Sequence, residues 1–153
     1  VAMQTINEVL PTDTPALPTL TPDPMASWKV LSNLSPKYNV KYPIGVDFTT
    51  DANAVKHLIK VGDVDLAFKA GALDGKTLKE FSDKKAAEMG GVFETSPVIA
   101  TSVAGFPGYK FHVKGYSEGD YYYLDLGTNS YLEIFDASKD PKSALEILAT
   151  LSQ

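Results

Sequence analysis

Few side chains in this sequence are equipped for acid–base or ligand chemistry. Two histidines, His57 and His112, stand in a chain of 153 residues that contains no cysteine and no arginine; its 14 basic residues are all lysine. Without cysteine there is no thiolate to act as nucleophile, metal ligand or disulfide partner. Without arginine there is no planar guanidinium fork for two-point capture of a carboxylate or phosphate. The histidines fit neither H-x-x-H nor H-E-x-x-H, so no dedicated zinc site and no other metal ligand set is expected. A serine hydrolase needs a nucleophile, a histidine base and an orienting acid, and the G-x-S-x-G elbow that would present the serine is missing. "GALDGKT" fails the spacing of a phosphate-binding loop, and the calcium-loop pattern does not occur. The acidic pairs Asp63/Asp65 and Asp136/Asp140 have the residue type for a divalent ion, but their ordinary work is turn chemistry and helix capping. No catalytic residue and no cofactor is expected.

What remains is a cluster produced by alternation. In a strand, successive side chains point to opposite faces. "YYYLDLG" therefore sets Tyr122, Leu124 and Leu126 on one face and Tyr121, Tyr123 and Asp125 on the other. "YKFHVKG" sends Tyr109, Phe111 and Val113 inward and Lys110, His112 and Lys114 outward. A hairpin closed by "GYSEGD" sets Lys114 beside Tyr121, His112 beside Tyr123 and Lys110 beside Asp125. The next strand adds Tyr131 and Glu133 through a bulged turn. The expectation is one sheet face bearing Lys110, His112, Tyr121, Tyr123 and Tyr131. In a two-layer fold that face is exposed and is the best candidate contact surface, since tyrosine suits interfaces. If the second helix lies over it, the same tyrosines are core-edge packing. The competing chemistry is a hydrolase, metal-dependent or otherwise, built on His112 and nearby carboxylates. His57, on the apolar face of its own hairpin beside Phe68, reads as a half-buried histidine held by a hydrogen bond.

The elements that position these residues are legible in outline. "SWKVLSN" and "KYNVKYP" read as two short strands turned by "NLSP", and "YPIGVDFTT" (42–50) as the end of the second strand and its exit turn. "AVKHLIKVGDVDLAFKAGAL" is the clearest hairpin. Gly62-Asp63 suits a type II′ turn, which puts Val61 opposite Val64, Ile59 opposite Leu66, His57 opposite Phe68 and Lys60 opposite Asp65. "KTLKEFSDKKAAEMGG" is a helix with Leu78, Phe81, Ala86 and Met89 near helical spacing; Thr77 and Glu80 form a capping box and Gly90-Gly91 stop it. "PVIATSVAG" and "YKFHVKG" are strands joined around "GFPG". "GDYYYLDLG" and "SYLEIFDAS" follow, with "GTNS" between them. The last helix, "DPKSALEILATLS", starts at Asp140 with Pro141 in its first turn and carries an apolar stripe of Ala144, Leu145, Leu148 and Leu151. Leu66, Phe68, Leu124, Leu126, Ile134, Leu145 and Leu148 are the expected core.

Composition sets the outer limits. Hydrophobic residues make up 44% of the chain and the formal net charge is −5. That sign argues against nucleic acid or an anionic membrane surface as partner, since both reward positive charge. No stretch approaches the roughly 20 apolar residues of a membrane span. The length suits one domain of ordinary size, large enough to need no disulfide or metal for stability. Residues 1–26 differ from the rest: "LPTDTPALPTLTPDP" (10–24) holds five prolines and four threonines. Proline excludes this stretch from helix and sheet interiors, leaving a tail or linker that extends to roughly 45 Å at about 3 Å per residue. "TINEVL" reads as a short helix or strand. No signal peptide is visible at "VAMQTINEVL".

Together, "WKVLSN…YNVKYP", the following hairpin, "LKEFSDKKAAEMGG", "VAGFPGYKFHVKG" and "YYYLDLGTNSYLEIFDASKDPKSALEILATL" resemble the PsbP/Mog1-like fold family over residues 27–153. The resemblance implies a single α+β domain: a central antiparallel sheet flanked by helices in an α/β/α arrangement. The "K-Y-P" strand and the Pro/Thr-rich spacer are similar to those of short bacterial envelope lipoproteins with this fold, in which the spacer follows a lipidated cysteine. By that resemblance the chain is extracytoplasmic, anchored or secreted, and touches a membrane only through such an anchor. The family includes photosystem-associated subunits, a small-GTPase-binding protein and many bacterial proteins without an assigned role. The resemblance itself implies little about activity; with no cysteine, arginine, triad or phosphate loop, the expected function is a non-enzymatic binding or assembly module, monomeric, with a protein partner at the envelope.

Overall fold

The structure, a computed structural model, describes residues 25–43, 47–51 (backbone only) and 56–153. The Pro/Thr-rich stretch and "TINEVL" lie outside the described residues.

Local chemistry fixes the first half of the domain. β1 (Lys29–Leu34) and β2 (Lys37–Tyr42) form a two-stranded antiparallel sheet of their own. β2 stops before Pro43, but the stretch after it does more than turn: β3 (Asp47–Asp51) takes up the second half of what was read as the exit of "YPIGVDFTT". β4 (Lys56–Val61) and β5 (Val64–Ala72) pair in the expected register, Val61 to Val64, Ile59 to Leu66 and His57 to Phe68. Gly62 has φ 53° while Asp63 stays outside the positive-φ set, as a type II′ turn requires. The exposed face of this hairpin carries Lys60 at 3.9 Å from Asp65.

Helix α1 (Leu78–Met89) begins where its capping box places it. The Glu80 amide donates to Thr77 Oγ1 at 3.2 Å, and the Thr77 amide donates to Glu80 Oε2 at 3.0 Å. Helix α2 (Pro141–Leu148) is capped by Asp140, which accepts from the Ser143 amide and hydroxyl. Between them come β6 (Glu94–Thr95), β7 (Ile99–Val103), β8 (Phe106–Lys114), β9 (Gly119–Gly127) and β10 (Ser130–Asp136). β7 and β8 are joined by Ala104-Gly105, both at positive φ, rather than by "GFPG". The larger sheet runs β3-β4-β5-β10-β9-β8-β6, with β7 also on β8, all antiparallel.

Both faces of this sheet are covered, giving the α/β/α layering. On one face, Ile59, Leu66, Phe68, Leu124, Leu126, Leu132 and Ile134 pack with Leu31, Tyr38 and Val40 of the β1–β2 hairpin and with Ala144, Ile147 and Leu148 of α2. On the other, Phe111, Val113, Tyr123 and Tyr131 pack under Leu78, Phe81, Ala86 and Met89 of α1. Each large side chain removed from water contributes about 1.5–3 kcal/mol, so the two layers are the main source of stability. Six of the seven expected core residues are buried. The exception is Leu145, which is 55% exposed. Helical geometry explains it: Ala144, Ile147, Leu148 and Leu151 follow the i, i+3, i+4, i+7 stripe, and Leu145 falls beside it.

Candidate functional site

The expected five-residue face does not exist as one surface. β8 pairs with β9 through Phe111↔Tyr121, His112↔Asp120 and Val113↔Gly119, and Lys110 faces Tyr122 across the ladder. The expected pairing differs from this by an odd number of residues, and an odd shift exchanges the faces of one strand relative to the other. Tyr121 and Tyr123 therefore share a face with Phe111, Tyr131 and Phe135, whereas Lys110 and His112 share the opposite face with Asp120 and Tyr122.

α1, the first helix, covers the aromatic face. Tyr123 is fully buried. The Phe81 ring from α1 meets it edge-on at 5.5 Å and lies 4.3 Å from the Tyr131 ring. Tyr121 stacks between Phe135 (4.4 Å) and Phe111 (5.5 Å). Gly71, across from Tyr131, gives that ring room, since a Cβ there would lie 2.7 Å from its hydroxyl. The Tyr123 hydroxyl donates to Glu133 Oε2 at 3.0 Å, and burial holds its pKa well above the ordinary tyrosine value. These tyrosines are packing, the outcome foreseen for a helix-covered face; the covering helix is the one between β5 and β6.

Lys110 and His112 open onto a different place. The α2-side face of β8–β9–β10 is left uncovered beyond the helix N-terminus. A groove of about 450 Å³ is lined there by His112, Glu118, Gly119, Asp120, Asp136, Ala137, Ser138, Lys139 and Pro141. A smaller hollow of about 160 Å³ continues from His112 and Asp120 to Ser96, Ile99 and Lys110. Position in the sheet assembles the centre: His112 on β8 faces Asp120 on β9, which faces Asp136 on β10. The loop after β10 is anchored, the Asp65 amide donating to Ser138 Oγ and the Ser138 amide to Asp136 Oδ1. His112 Nδ1 lies 2.9 Å from Asp120 Oδ1, and Nε2 lies 3.1 Å from Glu118 Oε1. The hydrogen bond to Asp120, then that to Glu118, raises the His112 pKa above its usual value. Lys110 holds its ammonium 6.0 Å from the Tyr122 ring centroid. Ser96 Oγ accepts from the backbone amide of His112 and not from its ring.

The sequence reading missed Glu118, Asp120 and Lys139, and had Asp136 only as a turn or capping residue paired with Asp140. The available signal was the charge density of "SEGD" and "DASKD" at the two ends of adjacent strands. No group of three or more His, Asp or Glu residues converges on a point suited to a metal ion among the described residues. Asp136 and Asp140 do the turn and cap work expected of them. His57 is half-buried as expected: its Nε2 lies 3.3 Å from Asn33 Oδ1, the Tyr38 ring meets it edge-on at 6.2 Å, and burial lowers its pKa.

No helix among the described residues is long and apolar enough to cross a membrane. No protein-family model matches the chain, and neither does any curated protein. Among solved structures it is similar to the solution structure of cyanobacterial PsbP (CyanoP) from Synechocystis sp. PCC 6803. The TM-score is 0.58 at 13% identity, over 83% of this chain and 92% of that one. Likeness at that identity speaks to architecture alone, and the architecture is that of the layered antiparallel sheet described above: the chain has a PsbP-like fold.

Proposed function

We propose that this chain is a binding or assembly module without catalytic activity, and that its contact surface is the groove around His112. The observation that carries this reading is the state of the histidine. Both ring nitrogens face carboxylates, and no hydroxyl among the described residues bonds either of them, so the ring has no nucleophile beside it to deprotonate. The Ser96 hydroxyl serves the backbone amide of His112 and not its ring. A base needs a free nitrogen within hydrogen-bond reach of the proton it removes, which is why a hydrolase is the weaker reading. The groove mixes charge of both signs with Ile99, 52% exposed beside Lys110. That mixture suits a protein partner better than a polyanion. The PsbP-like fold is compatible with such a role, although a fold does not fix a function.

The Pro/Thr-rich stretch supports the rest of the reading: a spacer that displays a monomeric domain outside the cytoplasm, at the bacterial envelope, from a lipid anchor or after secretion. Three experiments bear on this. In cross-linking to an envelope extract, a partner captured by the native chain should be lost on Lys110→Glu or Ile99→Asp, with far-UV dichroism unchanged. Equal capture by both variants would remove the groove from consideration. Turnover in a hydrolase screen that His112→Ala abolishes would end the non-enzymatic reading. Recovery of the native gene product in the cytosolic fraction would end the envelope placement.

A further inference from the structure

His112 stands where its protonation decides the geometry around it. An ionised carboxylate only accepts hydrogen bonds, and a neutral imidazole has one N–H to give. With Asp120 Oδ1 at 2.9 Å from Nδ1 and Glu118 Oε1 at 3.1 Å from Nε2, a neutral ring satisfies one carboxylate and turns a lone pair on the other. Only the imidazolium donates to both. The two acceptors are not equivalent. Asp120 belongs to β9 and is held opposite His112 by the ladder. Glu118 belongs to the β8–β9 connection (115–118), outside the ladder, and is exposed. Tyr116 of the same connection sets its ring 4.9 Å from that of Phe93 while 86% of the residue stays exposed.

We propose that His112 is a proton-operated clasp: the imidazolium ties the β8–β9 connection to the groove through Glu118, and the neutral ring keeps Asp120 and releases Glu118 together with Tyr116. The gating consequence rests on the binding role proposed for the groove, whereas the clasp is a property of the chain alone. The surrounding charges favour the same switch. Asp136 of β10 lies across from Asp120 on the same face, and Lys139 lines the groove beyond it. On β8 itself Lys110 lies to one side of His112; Lys114 lies to the other, opposite Glu94 of β6. From α2 only Pro141 reaches the groove. Three carboxylates thus meet two lysines along the lining. The groove is balanced while His112 is charged and negative once it is not. Because both carboxylates favour the charged ring, the clasp is closed at the ordinary histidine pKa of about 6.5 and opens as the pH rises through the raised value.

The test is a pH titration of the free chain by NMR, following the His112 ring and the amides of residues 115–118, with His57 as internal reference. The expected result is a His112 midpoint above 6.5, well separated from a lowered His57 midpoint, with the loop amides titrating at the His112 value. Glu118→Gln should lower the His112 midpoint and abolish the titration of the loop amides. The clasp is overturned if those amides do not follow His112, or if Glu118→Gln leaves its midpoint in place. Failure here leaves the groove standing as a contact surface, and failure of Lys110→Glu to weaken a partner leaves the clasp standing. Partner affinity that stays flat across the pH range in which the loop titrates overturns the gating.

Discussion

Replacing Tyr123 separates a packed aromatic layer from an exposed contact face more cleanly than any other single change. Its ring is fully buried on β9 and lies among Phe81 at 5.5 Å, Phe111 at 6.0 Å and Tyr131 at 6.3 Å. Truncating a buried aromatic ring to alanine costs about 3–5 kcal/mol, part transfer and part residual cavity. The change also strips Glu133 of the hydroxyl at 3.0 Å. Tyr123→Phe keeps the ring contacts and loses only that hydrogen bond to a carboxylate, which is worth about 1.5–3 kcal/mol; Glu133 is half-buried and reached by water, which places the cost at the low end. The expected order is therefore about 4 kcal/mol for Tyr123→Ala and about 1.5 kcal/mol for Tyr123→Phe, against a total near 5–15 kcal/mol for an ordinary domain. Urea unfolding followed by far-UV dichroism reads both, with the slope m held constant as the check on two-state behaviour. A cost below about 1 kcal/mol for Tyr123→Ala would refute the packing described here, because surface substitutions stay within about 0.5 kcal/mol. Equal costs for the two variants would show that the hydroxyl, not the ring, carries the effect.

Four further outcomes are expected. Leu124→Ala should cost about 2–5 kcal/mol and Leu145→Ala within about 0.5 kcal/mol, since the first is fully buried and the second 55% exposed; the same urea melts decide. Gly108→Ala should destabilise by at least the 1–3 kcal/mol or so of an overpacked core, because a Cβ there would fall on the backbone carbonyl of Tyr123 in the partner strand; a neutral thermal shift would show that β8 and β9 lie farther apart. Ala104→Gly should stabilise by up to about 1 kcal/mol, as φ 51° is the left-handed region that penalises a Cβ; a lowered melting temperature would contradict this. Finally, the folded His112 pKa is raised above its unfolded value, so its contribution is fully present below about pH 6.5 and is lost as the pH rises through the folded value. The stability difference between the native chain and His112→Gln should therefore shrink from pH 6 to pH 9; a difference that grows would reverse the assignment.

The parts of this fold that could be read in advance are those fixed by neighbours in sequence. The Gly62-Asp63 turn dictates the β4–β5 register. Thr77 with Glu80 starts α1, and Asp140 with Pro141 starts α2. Each is a contact within a few residues, so its chemistry is written in one place. The β8–β9 register has no such marker. Its connection, 115–118, lacks a two-residue turn signature, and an error of odd length sends Tyr123 to the wrong side of the sheet while every alternation within the strand stays correct. β3, read as turn, has the polar sequence "DFTTD" and owes its place to pairing with β4. The candidate site was half visible for the same reason: Lys110 and His112 announce themselves, whereas Glu118, Asp120 and Asp136 become neighbours only once three strands are aligned.

The β1–β2 hairpin is also tied to the segment that follows α2. Asn39 and Ser152 exchange both backbone hydrogen bonds, at 2.7 and 2.9 Å, and the Lys41 amide donates to Thr150 Oγ1 at 2.8 Å. Of the described elements, the first in chain order therefore takes part of its seat from α2 and residues 150–152. A lone two-stranded hairpin is at best marginally stable in water, so Leu31, Tyr38 and Val40 depend on the sheet and on α2, both later in the sequence, to close against. The layer holding Leu31, Tyr38 and Val40 is thus closed by contacts of long sequence separation, which places its formation late in folding, after the intervening chain has been ordered.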